Sequence, residues 1–241
     1  MKTVLITGGS RGIGKALVKA YASNGYKVLF CYNKSKDKAE DLVEELTTKG
    51  HEVVAFKMDV SNYKEVETTL NKLLENEKID VLVNNAGIAP KQKMLIDTEE
   101  SEFDDTFNTN VKGVYAVTKL LAKNMMFSGG SIINISSMWG NVGGSCEAIY
   151  SASKGAINSF TLALAKELSS ANIKVNAISL GVMNTDMNAH LTESDMEELK
   201  NMTPLGRIGK PEDITKLALL LSKEDSFITG QIITVDGGFT L

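Results

Sequence analysis

Residues that staple, ligate or kink a chain are scarce here: 241 residues include two cysteines, two histidines, three prolines and one tryptophan. Cys31 and Cys146 make no disulfide framework, and neither has the paired Cys/His spacing of a metal site. With only His51 and His190, neither a metal centre nor a histidine-based nucleophilic site is expected. Charge of one sign is also lacking. The net charge is -4 with the signs interspersed, so there is no basic stripe for nucleic acid to bind. No apolar run reaches the roughly 18 residues of a membrane span. Met1-Lys2 runs straight into Thr3-Val4-Leu5-Ile6-Thr7, leaving no room for a secretory leader, and a cytoplasmic location is expected.

What is present is an alternation. Short β-branched runs at Thr3 to Thr7, Lys27 to Tyr32, Glu52 to Met58, Val81 to Asn84, Ser131 to Ser136, Lys174 to Ser179 and Ile232 to Val235 read as seven strands. Longer helical patterns between them predict right-handed βαβ units on a parallel sheet, an α/β fold with helices on both faces. Phe103, Phe107, Val111, Val114, Leu121 and Met125 recur at helical spacing, as do Ala156, Phe160, Leu164 and Leu168. Each stripe predicts a face packed on the sheet. A second apolar face would serve a homo-oligomer, dimer or tetramer. No linker, repeat or charge block interrupts the pattern, and the chain reads as one domain over residues 1–241, long enough to bury roughly 70 to 75 per cent of its unfolded surface.

Thr7-Gly8-Gly9-Ser10-Arg11-Gly12-Ile13-Gly14 joins the first strand to the first helix. Gly8, Gly12 and Gly14 there allow a tight turn and let backbone N-H groups approach a pyrophosphate at the helix N-terminus. An NAD site places an acid at the end of the second strand to hold the ribose 2′-OH. Here that stretch reads Phe30-Cys31-Tyr32-Asn33-Lys34-Ser35, with no acid before Asp37. Arg11 and Lys34 instead offer positive charge, and Ser10 and Asn33 neutral donors, where a 2′-phosphate would sit. NADP(H) is therefore expected over NAD(H).

Tyr150 and Lys154 are four apart on a predicted helix and share a face, so the ammonium is expected to favour ionisation of the phenol and make it a usable acid. Asn110 falls inside a helical pattern although asparagine is a poor helix former, by about half a kcal/mol.

With the glycine turn, Asp59-Val60, Asn84-Asn85-Ala86-Gly87, Asn110, Ser137, Tyr150 and Lys154 in that order, the chain resembles the short-chain dehydrogenase/reductase family over nearly its whole length. The resemblance implies a single Rossmann-type doubly wound sheet. It implies that Asp59 and Val60 flank the adenine, that Asn84, Ala86 and Gly87 close the cofactor cleft, and that Thr185 holds the nicotinamide end. Ile13, Gly181 and Met183 join the cofactor set. By the same resemblance Ser137 and Tyr150 hydrogen-bond a ketone oxygen, and Tyr150 gives it a proton as hydride arrives at the carbon. Lys154 supports Tyr150 and the nicotinamide ribose, and Asn110 kinks its helix and holds a water that feeds protons to the lysine. The family usually carries a proline where this chain has Leu180, so a looser loop over the nicotinamide is expected. The stretch Met183 to Met202, which includes His190, reads as a substrate lid.

The segments Ile132 to Ser137, Pro204 to Gly209 and Ile228 to Gln231 look closest to the 3-oxoacyl-acyl-carrier-protein reductase branch. That branch often has a basic cluster before the Ser137 strand, and Met125 to Ser131 carries none. Between Ser137 and Tyr150, Trp139 and Glu147 are expected to line the substrate side, and this interval resembles reductases of the 5-aminopentanone modification on a lysine of elongation factor P. A carboxylate and an aromatic suit an ammonium-bearing ketone. The two partners, a carrier-bound acyl group and a protein-bound aminoketone, stay open at this point. So does a third role of another class, an NADPH-binding regulator without turnover, against which the intact Asn110, Ser137, Tyr150 and Lys154 set argues.

Overall fold

The computed structural model describes residues 1–188 and 191–241; His190, included above in the lid, lies outside the described residues. Seven strands, β1 (Thr3–Ile6), β2 (Lys27–Tyr32), β3 (Val53–Lys57), β4 (Val81–Asn84), β5 (Gly130–Ser137), β6 (Ile173–Leu180) and β7 (Ile232–Val235), form one sheet in the order β3-β2-β1-β4-β5-β6-β7. Every neighbouring pair is parallel. The order reverses between β1 and β4, and a crevice opens beyond the carboxyl ends of strands at such a point.

Alternation along each strand feeds two cores. Val4, Ile6, Val28 and Phe30 pack on one side of the sheet, with α1 (Gly12–Ser23), α2 (Lys36–Thr48) and α9 (Thr215–Leu221). Leu5, Leu29 and Cys31 point the other way, toward α3 (Tyr63–Leu74), α5 (Gly113–Met125) and α7 (Ala148–Glu167). Each fully buried Leu, Ile or Val contributes about 1.5–3 kcal/mol by leaving water.

Both long helical stripes differ from the reading of the sequence. α4 (Glu100–Phe107) and α5 do not form one continuous helix, because a π-turn over Asn108–Lys112 separates them. The wider turn shifts the phase: Val114, Leu121 and Met125 are buried as expected, whereas Phe103 is exposed and stacks on Phe107 at 4.4 Å. In α7 the buried seam runs through Ile157, Thr161 and Ala165, one residue on from Ala156, Phe160 and Leu164, which are half-buried.

Polar pairing explains the α7 shift. Asn84 donates to Thr118 Oγ1 and Asn134 Oδ1, each at 2.9 Å, and Asn134 donates to Thr161 Oγ1 at 2.9 Å. This buried ladder ties β4 and β5 to α5 and α7, and a count of apolar residues does not register its members. Among the described residues, Asn84 Oδ1 has no hydrogen-bond partner.

Candidate active site

A cleft of about 730 Å³ lies over the carboxyl ends of β1, β4, β5 and β6, and most of the expected residues line it. Its floor is the glycine turn. Thr7 Oγ1 accepts from the backbone N-H groups of Asn85 and Ala86, both at 3.0 Å, and the Asn85 amide donates back to the carbonyls of Thr7 and Gly8. Glycine is required at 14, since a Cβ there would overlap the Gly8 carbonyl oxygen. Of the consecutive asparagines, Asn85 clamps the turn and lines the cleft. Asn84, taken above as a cofactor contact, points instead into the buried ladder, because neighbouring residues at a strand end face opposite sides.

α1 starts with Arg11 at its N-cap, with no side-chain cap and no acid in the first turn. Its N-terminal N-H groups and positive dipole end are thus open to an anion. A Cβ on Gly12 would lie 3.5 Å from the Thr185 side chain, so glycine keeps the backbone bare where a pyrophosphate would lie. These features fit a dinucleotide.

At the far end, Asp59 accepts from the Ser61 N-H at 2.9 Å and the Ser61 hydroxyl at 2.7 Å, and it is hydrogen-bonded to Asn33. Burial works to raise its pKa, but these bonds and the charge of Lys34 outweigh it and hold the carboxyl below its usual value. Asn33, Lys34, Asp59 and Val60 are therefore gathered on one wall. Arg11 faces Asp186 at 3.8 Å.

Ser137, Tyr150 and Lys154 meet at the end of β5. The Ser137 hydroxyl is hydrogen-bonded to the Tyr150 phenol and accepts from the Trp139 N-H at 3.2 Å. Lys154 lies beneath, its Nζ 5.6 Å from the Tyr150 ring centroid and donating to the Ile135 carbonyl at 2.9 Å. Helical spacing does put both on one face. The net shift is not the expected acidification: the cation sits over the ring, and burial decides the direction. Tyr150 is pushed up to about 12, chiefly by burial, with the Ser137 bond opposing and the Glu147 charge adding, while burial alone brings Lys154 down to about 8.

Asn110 sits in the π-turn, 1% exposed, outside the cleft lining. It accepts from Ile88 N at 2.9 Å and donates to Ile88 O at 2.8 Å and Ser153 Oγ at 3.1 Å, pinning the β4–α4 loop to α7. A Cβ on Gly87 would lie 3.2 Å from Asn110 Oδ1 and 3.6 Å from Lys154 Nζ, so all three groups adjoin.

The cleft is also lined by Trp139, from the short helix α6 (Trp139–Val142), and by Glu147. Phe239 packs edge-on against the Trp139 ring at 5.9 Å, and Gln92 donates to Glu147 at 2.7 Å. Gln92 and the cleft residues Asn108 and Thr109 went unread in the sequence, since a loop and an irregular turn present them without a periodic signal. Asn158 also went unread. It accepts from Ser136 Oγ at 2.6 Å and donates to Asn141 at 2.8 Å, and Asn141 donates to Ser179 at 2.9 Å, so the chain of bonds ties α6 to α7 and β6.

Leu180, where the family usually carries proline, is the last residue of β6. Leu180 is buried, pairs with Ser137 and Val235 in the sheet, and accepts from Met138 N at 2.8 Å. Gly181 N donates to Val235 O at 3.0 Å, and Met183 bridges to Gly209. Beyond Thr185, a 3-10 turn over Asp186–Asn188 and α8 (Glu193–Met202) bring Leu191 and Leu199 to the cleft.

The family model described as Enoyl-(Acyl carrier protein) reductase matches residues 8–240. The chain is 37% identical over 242 residues to the 3-oxoacyl-acyl-carrier-protein reductase FabG of Chlamydia pneumoniae, covering 99% of this chain and 97% of that one. It belongs to the short-chain dehydrogenase/reductase family. A 3-oxoacyl-acyl-carrier-protein reductase from Brucella melitensis superposes with a TM-score of 0.93 at 32% identity, covering 100% of this chain and 91% of that one. A gluconate 5-dehydrogenase from Burkholderia cenocepacia in complex with NADP and tartrate superposes with a TM-score of 0.94 at 29% identity, covering 99% and 95%. This short-chain dehydrogenase/reductase is thus an oxidoreductase that uses a nicotinamide cofactor.

Proposed function

We propose that the protein reduces the ketone of a carrier-bound 3-oxoacyl thioester to a secondary alcohol with NADPH, in the cytoplasm and as a homo-oligomer. The observation that carries this reading is the hydrogen-bonded Ser137–Tyr150 pair, with Lys154 beneath it, in the same cleft as the glycine turn. Gly8, Ser10, Gly12, Ile13 and Gly14 would hold the pyrophosphate, Arg11, Asn33 and Lys34 the 2′-phosphate end, Asp59 and Val60 the adenine, and Ala86, Gly87, Gly181, Met183 and Thr185 the nicotinamide end. When bound, the reduced nicotinamide supplies hydride to the ketone carbon.

Ser137 and Tyr150 donate hydrogen bonds to the ketone oxygen and stabilise the negative charge that grows there. Tyr150, with its pKa near 12, holds its proton at neutral pH and releases it to the alkoxide oxygen, a base stronger than itself. Lys154 keeps a positive charge below the ring that favours the resulting phenolate. Asn110 holds the loop and α7 at a fixed separation around Lys154.

Replacing Tyr150 with Phe removes the proton donor alone. Acetoacetyl-thioester-dependent NADPH oxidation then falls about 10²- to 10⁴-fold while NADPH binding is kept; retained turnover overturns the reading. A second reading, an ammonium-bearing ketone, is favoured by one observation: Glu147 lies at the cleft, close enough for its charge to bear on Tyr150. Glu147→Gln weakens reduction of an aminoketone and spares the thioester if that reading holds.

A further inference from the structure

Asp186 is an acid in an unexpected place. It directly follows Thr185, and its carboxylate is 3.8 Å from the Arg11 guanidinium and 3.1 Å from Lys38 Nζ. Arg11 comes from the glycine turn and Lys38 from the first turn of α2, so the contact joins three separate segments. Arg11, Lys34 and Asp186 all line the cleft.

We propose that Asp186 is a built-in counter-charge to the 2′-phosphate of NADPH, occupying Arg11 and Lys38 so that NADPH must displace it, whereas NADH need not. This rests on the NADPH preference proposed above, and it adds Lys38 to the phosphate's partners.

The arrangement suits displacement. Arg11 and Asp186 are both more than half exposed, and among the described residues their 3.8 Å contact leaves the guanidinium fork unfilled. A phosphate dianion brings more charge and more acceptor oxygens than a carboxylate, so it wins both cations. The carboxylate then remains nearby as a like charge, and NADPH affinity is lower than the cations alone would give. The opposite role is also chemically distinct: an acid that accepts from the ribose 2′-OH favours NADH.

The test is direct binding, followed by the fluorescence of the reduced nicotinamide during titration with NADPH and NADH, for the intact chain and for Asp186→Asn, Asp186→Glu and Lys38→Gln. Asp186→Asn is expected to lower the NADPH Kd by about two- to five-fold, the scale of an exposed ion pair, and to leave NADH unchanged. Lys38→Gln raises the NADPH Kd alone, and Asp186→Glu matches the parent. Unchanged or weakened NADPH binding in Asp186→Asn overturns the proposal, as does an equal shift for both cofactors or a weakened NADH. A glutamate variant that behaves like asparagine also overturns it, since charge is then not what acts. If the parent chain binds NADH as tightly as NADPH, the cofactor reading falls too; if it prefers NADPH but ignores Asp186→Asn, only the present proposal falls.

Discussion

Tyr150 and Lys154 are moved from their ordinary pKa values in opposite directions chiefly by the same cause, the loss of water around each. The two shifts leave a window: above about pH 8 Lys154 has given up its proton, whereas Tyr150 keeps its own to about 12. A positive charge at Lys154 is what favours phenolate once Tyr150 has donated, so turnover depends on the protonated lysine. The profile of kcat/KM against pH, which reports the free enzyme, is therefore expected to fall as pH rises through about 8. A plateau extending to pH 10 or above would assign the limiting ionisation to Tyr150 instead. Spacing alone did disclose which two side chains share a face. It did not disclose where Nζ points, because that is fixed by the Ile135 carbonyl, an acceptor on a strand 19 residues away.

Among the elements, the turn α6 is placed by contact and not by periodicity. Gly140 lies directly against the backbone of Lys154: an added Cβ would be 2.7 Å from its carbonyl carbon and 2.9 Å from its Cβ. Gly140→Ala is expected to destabilise the fold by about 1–3 kcal/mol in urea unfolding, as overpacking does, and to lower turnover more than NADPH binding, because Lys154 must shift. Unchanged stability would show that α6 moves away freely. The strands were nearly all legible, since β-branched runs between turn residues carry their own signal: β2, β4 and β7 match to the residue. The helices were legible in place but less so in phase. A π-turn adds a residue that no apolar count registers, and in α7 Asn158 and Thr161 are buried because partners await them. Asn84 and Asn85 could not be told apart for the same reason, their roles being set by Thr118, Asn134 and Thr7.

The whole molecule has its sheet covered on both sides, yet apolar surface remains outside the helices of the second core. Phe103 on α4, Tyr115 on α5 and Leu162 on α7 are 45%, 43% and 42% exposed. Exposed apolar side chains of this kind suit association with a second copy. Sedimentation is expected to show a dimer or tetramer, and Leu162→Glu to shift it toward smaller species with its helix intact; a monomeric parent chain would refute this use of the surface. The hydrogen bonds between Thr7 and Asn85 span 78 residues of chain. Their consequence is temporal. As the chain is synthesised, the glycine turn at its beginning lacks its clamp until β4 is made and docks beside β1, and the long loop closure delays that pairing. The glycine turn is complete within the first fourteen residues, yet the asparagine that clamps it arrives 78 residues after Thr7.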